Sequence, residues 1–184
     1  IRRSIDSFKR YIGIITTVIA SVTGLTFMLN QLREKRDQRE DTKADVEALT
    51  GLSKENIDWL EGEAKRLSTT MTESRIRIRQ SATDIMDAFK LVGSAKPELL
   101  SNKEALAAVT EQTLILASAS GMTLRDAVDA VTLSLNQYGD GADQAARYAN
   151  VMAAGSKYGS AAVESVTKSI KSSGVAAASA NIPI

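Results

Sequence analysis

The carboxylates best grouped for chemistry in this sequence are Asp140 and Asp143, which stand on either side of Gly141. Two carboxylates beside a glycine could begin a calcium-binding loop. Such a loop also needs further oxygen ligands at alternate positions and a glutamate at its far end. Neither these ligands nor the glutamate follows Asp143 at the required positions. The pattern therefore predicts a turn that leads into a helix N-cap.

The residue types that most often carry catalysis are missing from the chain, which contains no histidine and no cysteine. Without histidine it lacks the usual general base, the base of a serine triad and imidazole metal ligands. Without cysteine it lacks thiolate nucleophiles and cysteine-based zinc sites. The sequence also shows no phosphate-binding loop, no dinucleotide fingerprint and no EF-hand. We therefore predict a protein that is not an enzyme, with no catalytic residue, no cofactor and no metal.

The charge balance bears on possible partners. Lys and Arg number 23 and Asp and Glu 22, so the net charge is +1. A general nucleic-acid binder would carry a clustered basic excess, so we expect no sequence-specific nucleic-acid binding. The single tryptophan, Trp59, lies in an amphipathic segment and is expected to be a core or interface anchor.

The N-terminal part of the chain contains an unusual uncharged run. Residues 11–32 include no Asp, Glu, Lys or Arg over 22 positions. A helix of this length spans about 33 Å, close to the thickness of the hydrocarbon core of a bilayer. Four Thr, one Ser and two Gly make the run only moderately apolar, which weakens a lipid-spanning interpretation. Burial against protein and insertion into a membrane are both retained as interpretations.

The same run also carries a heptad pattern. Positions a and d of about four heptads are mostly apolar. Isoleucine at a, combined with β-branched residues at two of the d positions, favours trimers or tetramers over dimers. We therefore predict a coiled-coil-like helix that self-associates, with a trimer favoured. The seam residues on which this prediction depends are Ile5, Phe8, Ile12, Ile15, Ile19, Val22 and Leu29.

After residue 50 the sequence alternates between helix start signals and helix stop signals. Ser53 and Thr123 are expected to cap helices, and capping boxes are predicted at Thr70–Glu73 and at Ser101–Glu104. The alternation in Arg75–Arg79 resembles a strand, but the pattern that follows it favours a helix. Several glycines are spaced like helix stops, namely Gly121, Gly139, Gly155, Gly159 and Gly174. The sequence thus predicts an all-α fold, a long apolar helix followed by several short capped helices in a helical bundle.

One stretch, from Ser118 to Ala178, resembles the core region of phage tail tape measure proteins of the type named after a lactococcal phage. It shares a small-residue turn at Ser120–Leu124, an aromatic-glycine stop at Tyr138-Gly139 and a second glycine turn at Gly159–Val163. Upstream, Ala44-Asp45-Val46 followed by Thr50–Ser53 occurs in an order that is familiar from such proteins. The chain departs from the family pattern after Gly174.

The resemblance implies a structural virion protein, a homo-oligomeric rod in the lumen of the tail tube that sets tail length. It implies contacts with tail tube and tail tip proteins, and release at genome ejection with entry of an apolar segment into the host membrane. On this interpretation residues 1–48 form a helical arm, residues 49–178 form the core region, and residues 179–184 begin a continuation of a longer protein. The alternative is a membrane-anchored helical signalling or toxin-delivery protein in which residues 11–32 span a bilayer permanently.

Overall fold

Helices dominate the computed structural model, which describes residue 28 and residues 30–72, 75–158 and 162–182. Seven α-helices occur in these ranges, together with short 3-10 turns at Pro97–Ser101 and Ala142–Gln144. The helices are α1 (residues 30–50), α2 (Lys54–Thr69), α3 (Ala82–Ala95), α4 (Lys103–Ser120), α5 (Leu124–Tyr138), α6 (Ala145–Tyr158) and α7 (Val163–Ser179). The predicted all-α fold is confirmed. The long apolar N-terminal helix lies almost entirely outside the described residues.

The chain divides into two compact units, Ile1–Asp41 and Thr42–Ile184. In the second unit α4 and α5 are the central helices, and α5 packs against α3, α4, α6 and α7. Helix α4 packs against α2, α3, α5 and α6. The side chains that fill the space between these helices are almost fully buried, and the largest include Leu60, Phe89, Leu114, Leu135 and Tyr148. Burial of this apolar surface is the main force that holds the unit together.

Several predicted helix ends are confirmed. The side chains of Ser53 and Thr123 accept hydrogen bonds from backbone N–H groups in the first turns of α2 and α5. Helices α4 and α5 end at Gly121 and Gly139, whose φ angles of 74° and 69° lie in the left-handed region. Glycine adopts that region without the steric cost that a Cβ atom imposes.

The predicted capping box at Thr70–Glu73 is wrong. Thr70 instead ends α2, and the hydroxyl of Thr72 donates to the carbonyl of Ile76 at 2.9 Å. Met71 and Arg77 then form an isolated antiparallel bridge. Helix α3 begins later, where Ser81 and Asp84 form a reciprocal capping box. The strand-like alternation of Arg75–Arg79 therefore predicts this segment better than the helical pattern does. Ile78 is buried, while the arginines on either side of it are exposed.

Three other expected boundaries are also corrected. The cap of α4 is Asn102 rather than Ser101, since Oδ1 of Asn102 accepts from the backbone N–H of Ala105 at 2.9 Å. Gly155 lies inside α6, and Gly174 lies inside α7. At Gly174 a Cβ atom would clash with Oε1 of the Gln137 side chain on α5. This glycine therefore makes room for the side chain of Gln137 and does not end α7.

Candidate functional site

The predicted seam residues cannot be placed, because Ile5, Phe8, Ile12, Ile15, Ile19, Val22 and Leu29 all lie outside the described residues. Of the uncharged run, residue 28 and residues 30–32 are described, and all are helical. The two large apolar side chains among them, Met28 and Leu32, are about two-thirds exposed. Among the residues that the structure describes, no helix combines the length and the apolar character needed to cross a membrane. Self-association through the seam therefore stays a prediction.

The last two turns of α1 are fixed on α2 by a cluster of charges. Nζ of Lys43 lies 2.7 Å from Oδ1 of Asp58 and 2.8 Å from Oε2 of Glu61. One turn later Val46 is fully buried in the core. The ion pairs thus set the position of this helix segment, and the buried valine supplies the apolar contact that holds it there.

The pKa values of this cluster reflect the pairing. Burial raises the pKa of Glu61, but hydrogen bonds from Lys43 and Lys65 outweigh it and leave the pKa below the ordinary value. Hydrogen bonds to Asp58 and Glu61 raise the pKa of Lys43 well above its usual range, against a smaller opposing effect of burial. Both groups are therefore charged at neutral pH.

A second polar contact joins the end of α3 to α5. Lys96 is only 8% exposed, and its Nζ donates to Oδ1 of Asn136 at 3.0 Å. The same ammonium group lies 3.0 Å from Oε2 of Glu98, and Nδ2 of Asn136 donates to the carbonyl of Ala95. A buried ammonium ion is costly unless it is paired in this way. The contact therefore orients the corner between α3 and the 3-10 turn that follows it.

Asp140 and Asp143, the carboxylates singled out in the sequence, do not share a site. Asp140 accepts a hydrogen bond from the hydroxyl of Tyr148, and Asp143 accepts one from the side-chain amide of Gln144. Burial, together with the hydrogen bond to Asp140, raises the pKa of Tyr148 well above its ordinary value. The predicted turn is present, but neither carboxylate caps the 3-10 turn that follows Gly141. Within the described ranges no group of three His, Cys, Asp or Glu residues could hold a metal ion.

Trp59 lies on the surface of α2, where it is 36% exposed. The ammonium group of Lys103 lies over its ring, 5.3 Å from the ring centre. Such an arrangement is a cation–π contact, which contributes modestly at exposed sites. The tryptophan is thus not a core residue. Its role as an interface anchor stays a prediction.

Sequence reasoning missed Lys43, Lys96 and Tyr148. Each pairs with a residue between 8 and 40 positions away in the chain, and periodicity and capping signals report only on neighbours within one or two turns. The only available signal was at Tyr148, because a tyrosine inside an alanine-rich helix of a chain with few aromatic residues is expected to be buried.

Comparison with known proteins identifies a family. The family of phage-related minor tail proteins matches residues 61–184, about two thirds of the chain, a range that begins within α2 and continues past the end of α7. No curated protein and no solved structure matches the chain.

Proposed function

Because this chain belongs to the family of phage-related minor tail proteins, we propose that it is a segment of a tail tape measure protein. As a member of that family it is a structural component of the phage tail and is found in the virion. The proposal goes further than the family. It assigns the chain the role of setting tail length from within the lumen of the tail tube.

The observation that carries the proposal is that the family match, over residues 61–184, includes the stretch from Ser118 to Ala178 that resembles tape measure proteins. Two glycines that carry much of the resemblance, Gly121 and Gly139, end α4 and α5, each in the left-handed conformation. This agrees with the helix stops in the stretch that resembles tape measure proteins. A helix also suits a ruler, because it extends by a constant rise of about 1.5 Å per residue.

The remaining parts of the proposal concern assembly. Copies of the chain associate through the N-terminal seam, with a trimer favoured, and contact tail tube and tail tip proteins. During genome ejection the protein leaves the tube, and its uncharged segment contacts the host membrane. The role is structural and involves no catalysis, which agrees with the lack of His and Cys in the sequence.

The test is the length of tails made by phage with an altered gene. An insertion of 28 helix-forming residues after Gln38, on the exposed part of α1, should lengthen tails by about 42 Å at the rise of a helix. A matched control replaces residues of the same segment without changing their number. Electron microscopy of purified virions measures the tail lengths of the insertion variant and of the control.

Tails of unchanged length from virions that contain the longer protein would contradict the ruler role and leave only a minor tail component. Protein that is absent from virions and stays in membranes after a carbonate wash would favour the alternative of a permanently membrane-anchored protein. Both results can be read from the same lysate.

A further inference from the structure

A groove of about 420 Å³ lies between α5 and α7. Its lining includes Asp126 and Asp129 from α5 and Lys168 and Lys171 from α7. Leu133, which is half-buried, adds apolar surface between them. The groove therefore has one acidic wall, one basic wall and an apolar part.

The charges of this groove are not neutralised within the described part of the chain. Asp129, Lys168 and Lys171 are exposed, and none of them belongs to an ion pair among the described residues. Asp126 differs, because it accepts a hydrogen bond from the hydroxyl of Thr123 and belongs to the cap of α5. Three charges thus face the solvent across a half-buried apolar surface.

We propose that this groove pairs with the same groove of a second copy of the chain, related to the first by a two-fold axis that runs along the groove. In that arrangement α5 of one copy faces α7 of the other. The acidic wall then meets a basic wall twice, once on each side of the axis. A surface that carries both signs of charge side by side is complementary to itself under this symmetry.

Other occupants fit the groove less well. A partner with charges of one sign would satisfy one wall and be repelled by the other.

This contact is separate from the N-terminal seam, because it uses residues of α5 and α7 only. It adds a link between copies and goes beyond the proposed role as a ruler. Charges at the rim of an interface mainly set specificity and orientation, so the charge pattern itself is the feature to test.

The experiment uses the full chain, whose lack of cysteine provides a clean background for cross-linking. Thr167→Cys places a thiol in the groove, and a short bis-maleimide reports the fraction of cross-linked dimer. Ala154→Cys on an exposed part of α6 is the matched control for random collisions and for proximity that the seam creates. Circular dichroism confirms that each variant is folded.

In the Thr167→Cys background, Asp129→Lys alone and Lys168→Glu alone should each lower the cross-linked fraction on the order of tenfold, since each replaces two attractions by two repulsions. Coexpression of the two charge variants should restore it, because each reversed wall then meets its complement. Equal cross-linking at positions 154 and 167, or no recovery in the mixture, would overturn the two-fold contact. Tail length is measured independently, so failure here leaves the ruler role untouched.

Discussion

Nζ of Lys43 lies 2.8 Å from Oε2 of Glu61, and the other carboxylate oxygen of Glu61 lies 2.7 Å from Nζ of Lys65. The Glu61 side chain is only 14% exposed, so its charge depends on these two partners. One partner comes from α1 and the other from α2. The glutamate thus joins the last turns of α1 to the helix on which they pack.

Replacing Lys43 by methionine should destabilise the unit by about 1–2 kcal/mol. This range lies between the values for exposed and for buried ion pairs, because the pair is partly buried and Lys65 still compensates Glu61. Lys35→Met, which removes the same charge from an exposed position of the same helix, should change the free energy of unfolding by less than about 0.5 kcal/mol. Urea unfolding measures both variants. Equal losses of unfolding free energy in the two variants would show that the ion pairs of Lys43 do not contribute specifically to stability.

The same cluster predicts a pH dependence. The pKa of Glu61 is lower in the folded chain than its ordinary value of 4.5. The stability that this carboxylate contributes is therefore fully present above pH 4.5 and is lost as the pH falls through the lowered value. The urea unfolding midpoint should decrease as the pH is lowered from neutral to acidic values. In Glu61→Gln this decrease should be smaller. Glu47→Gln, at an exposed position of α1, should leave the pH dependence of the midpoint unchanged. An equal reduction in both variants would contradict the assignment of this pH dependence to Glu61.

Much of the helix pattern was predictable from the sequence, because caps depend on residues within one turn of each other. Ser53, Thr123, Gly121 and Gly139 act as their residue types and spacing indicate. The segment around Ile78 was not predicted correctly. Its burial depends on packing against the core formed by distant helices, and tertiary contacts override local helix signals in such cases.

The candidate site was less predictable than the fold. A glycine that ends a helix and a glycine that makes room for a side chain of a neighbouring helix are alike in sequence. The sequence therefore predicts a stop at Gly174, where the structure has the side chain of Gln137 from α5. The charges of the groove between α5 and α7 likewise come together only through packing. Periodicity identifies which face of a helix is apolar but not which helix will cover it.

At Gly174 two effects oppose each other. Alanine is favoured over glycine by about 1 kcal/mol in a helix interior, but its Cβ atom would displace the side-chain amide of Gln137. Gly174→Ala should therefore change the free energy of unfolding little in the wild-type chain. In a Gln137→Ala background the same substitution should stabilise the unit by up to about 1 kcal/mol. Thermal unfolding of the four chains measures this coupling, and the absence of any difference between the two backgrounds would contradict the contact.

The N-terminal seam leads to the prediction that bears most directly on assembly. Ile12→Glu with Ile19→Glu places charges at two a positions of the heptads, where burial of an unpaired carboxylate is costly. This double variant should no longer form oligomers in sedimentation experiments and should produce no normal tails. Thr17→Glu with Gly24→Glu adds the same two charges on the opposite face of the same uncharged run, and so imposes a similar penalty on membrane insertion but spares the seam. Oligomers and tails should survive in that control, whereas normal tails from the first variant would refute the seam.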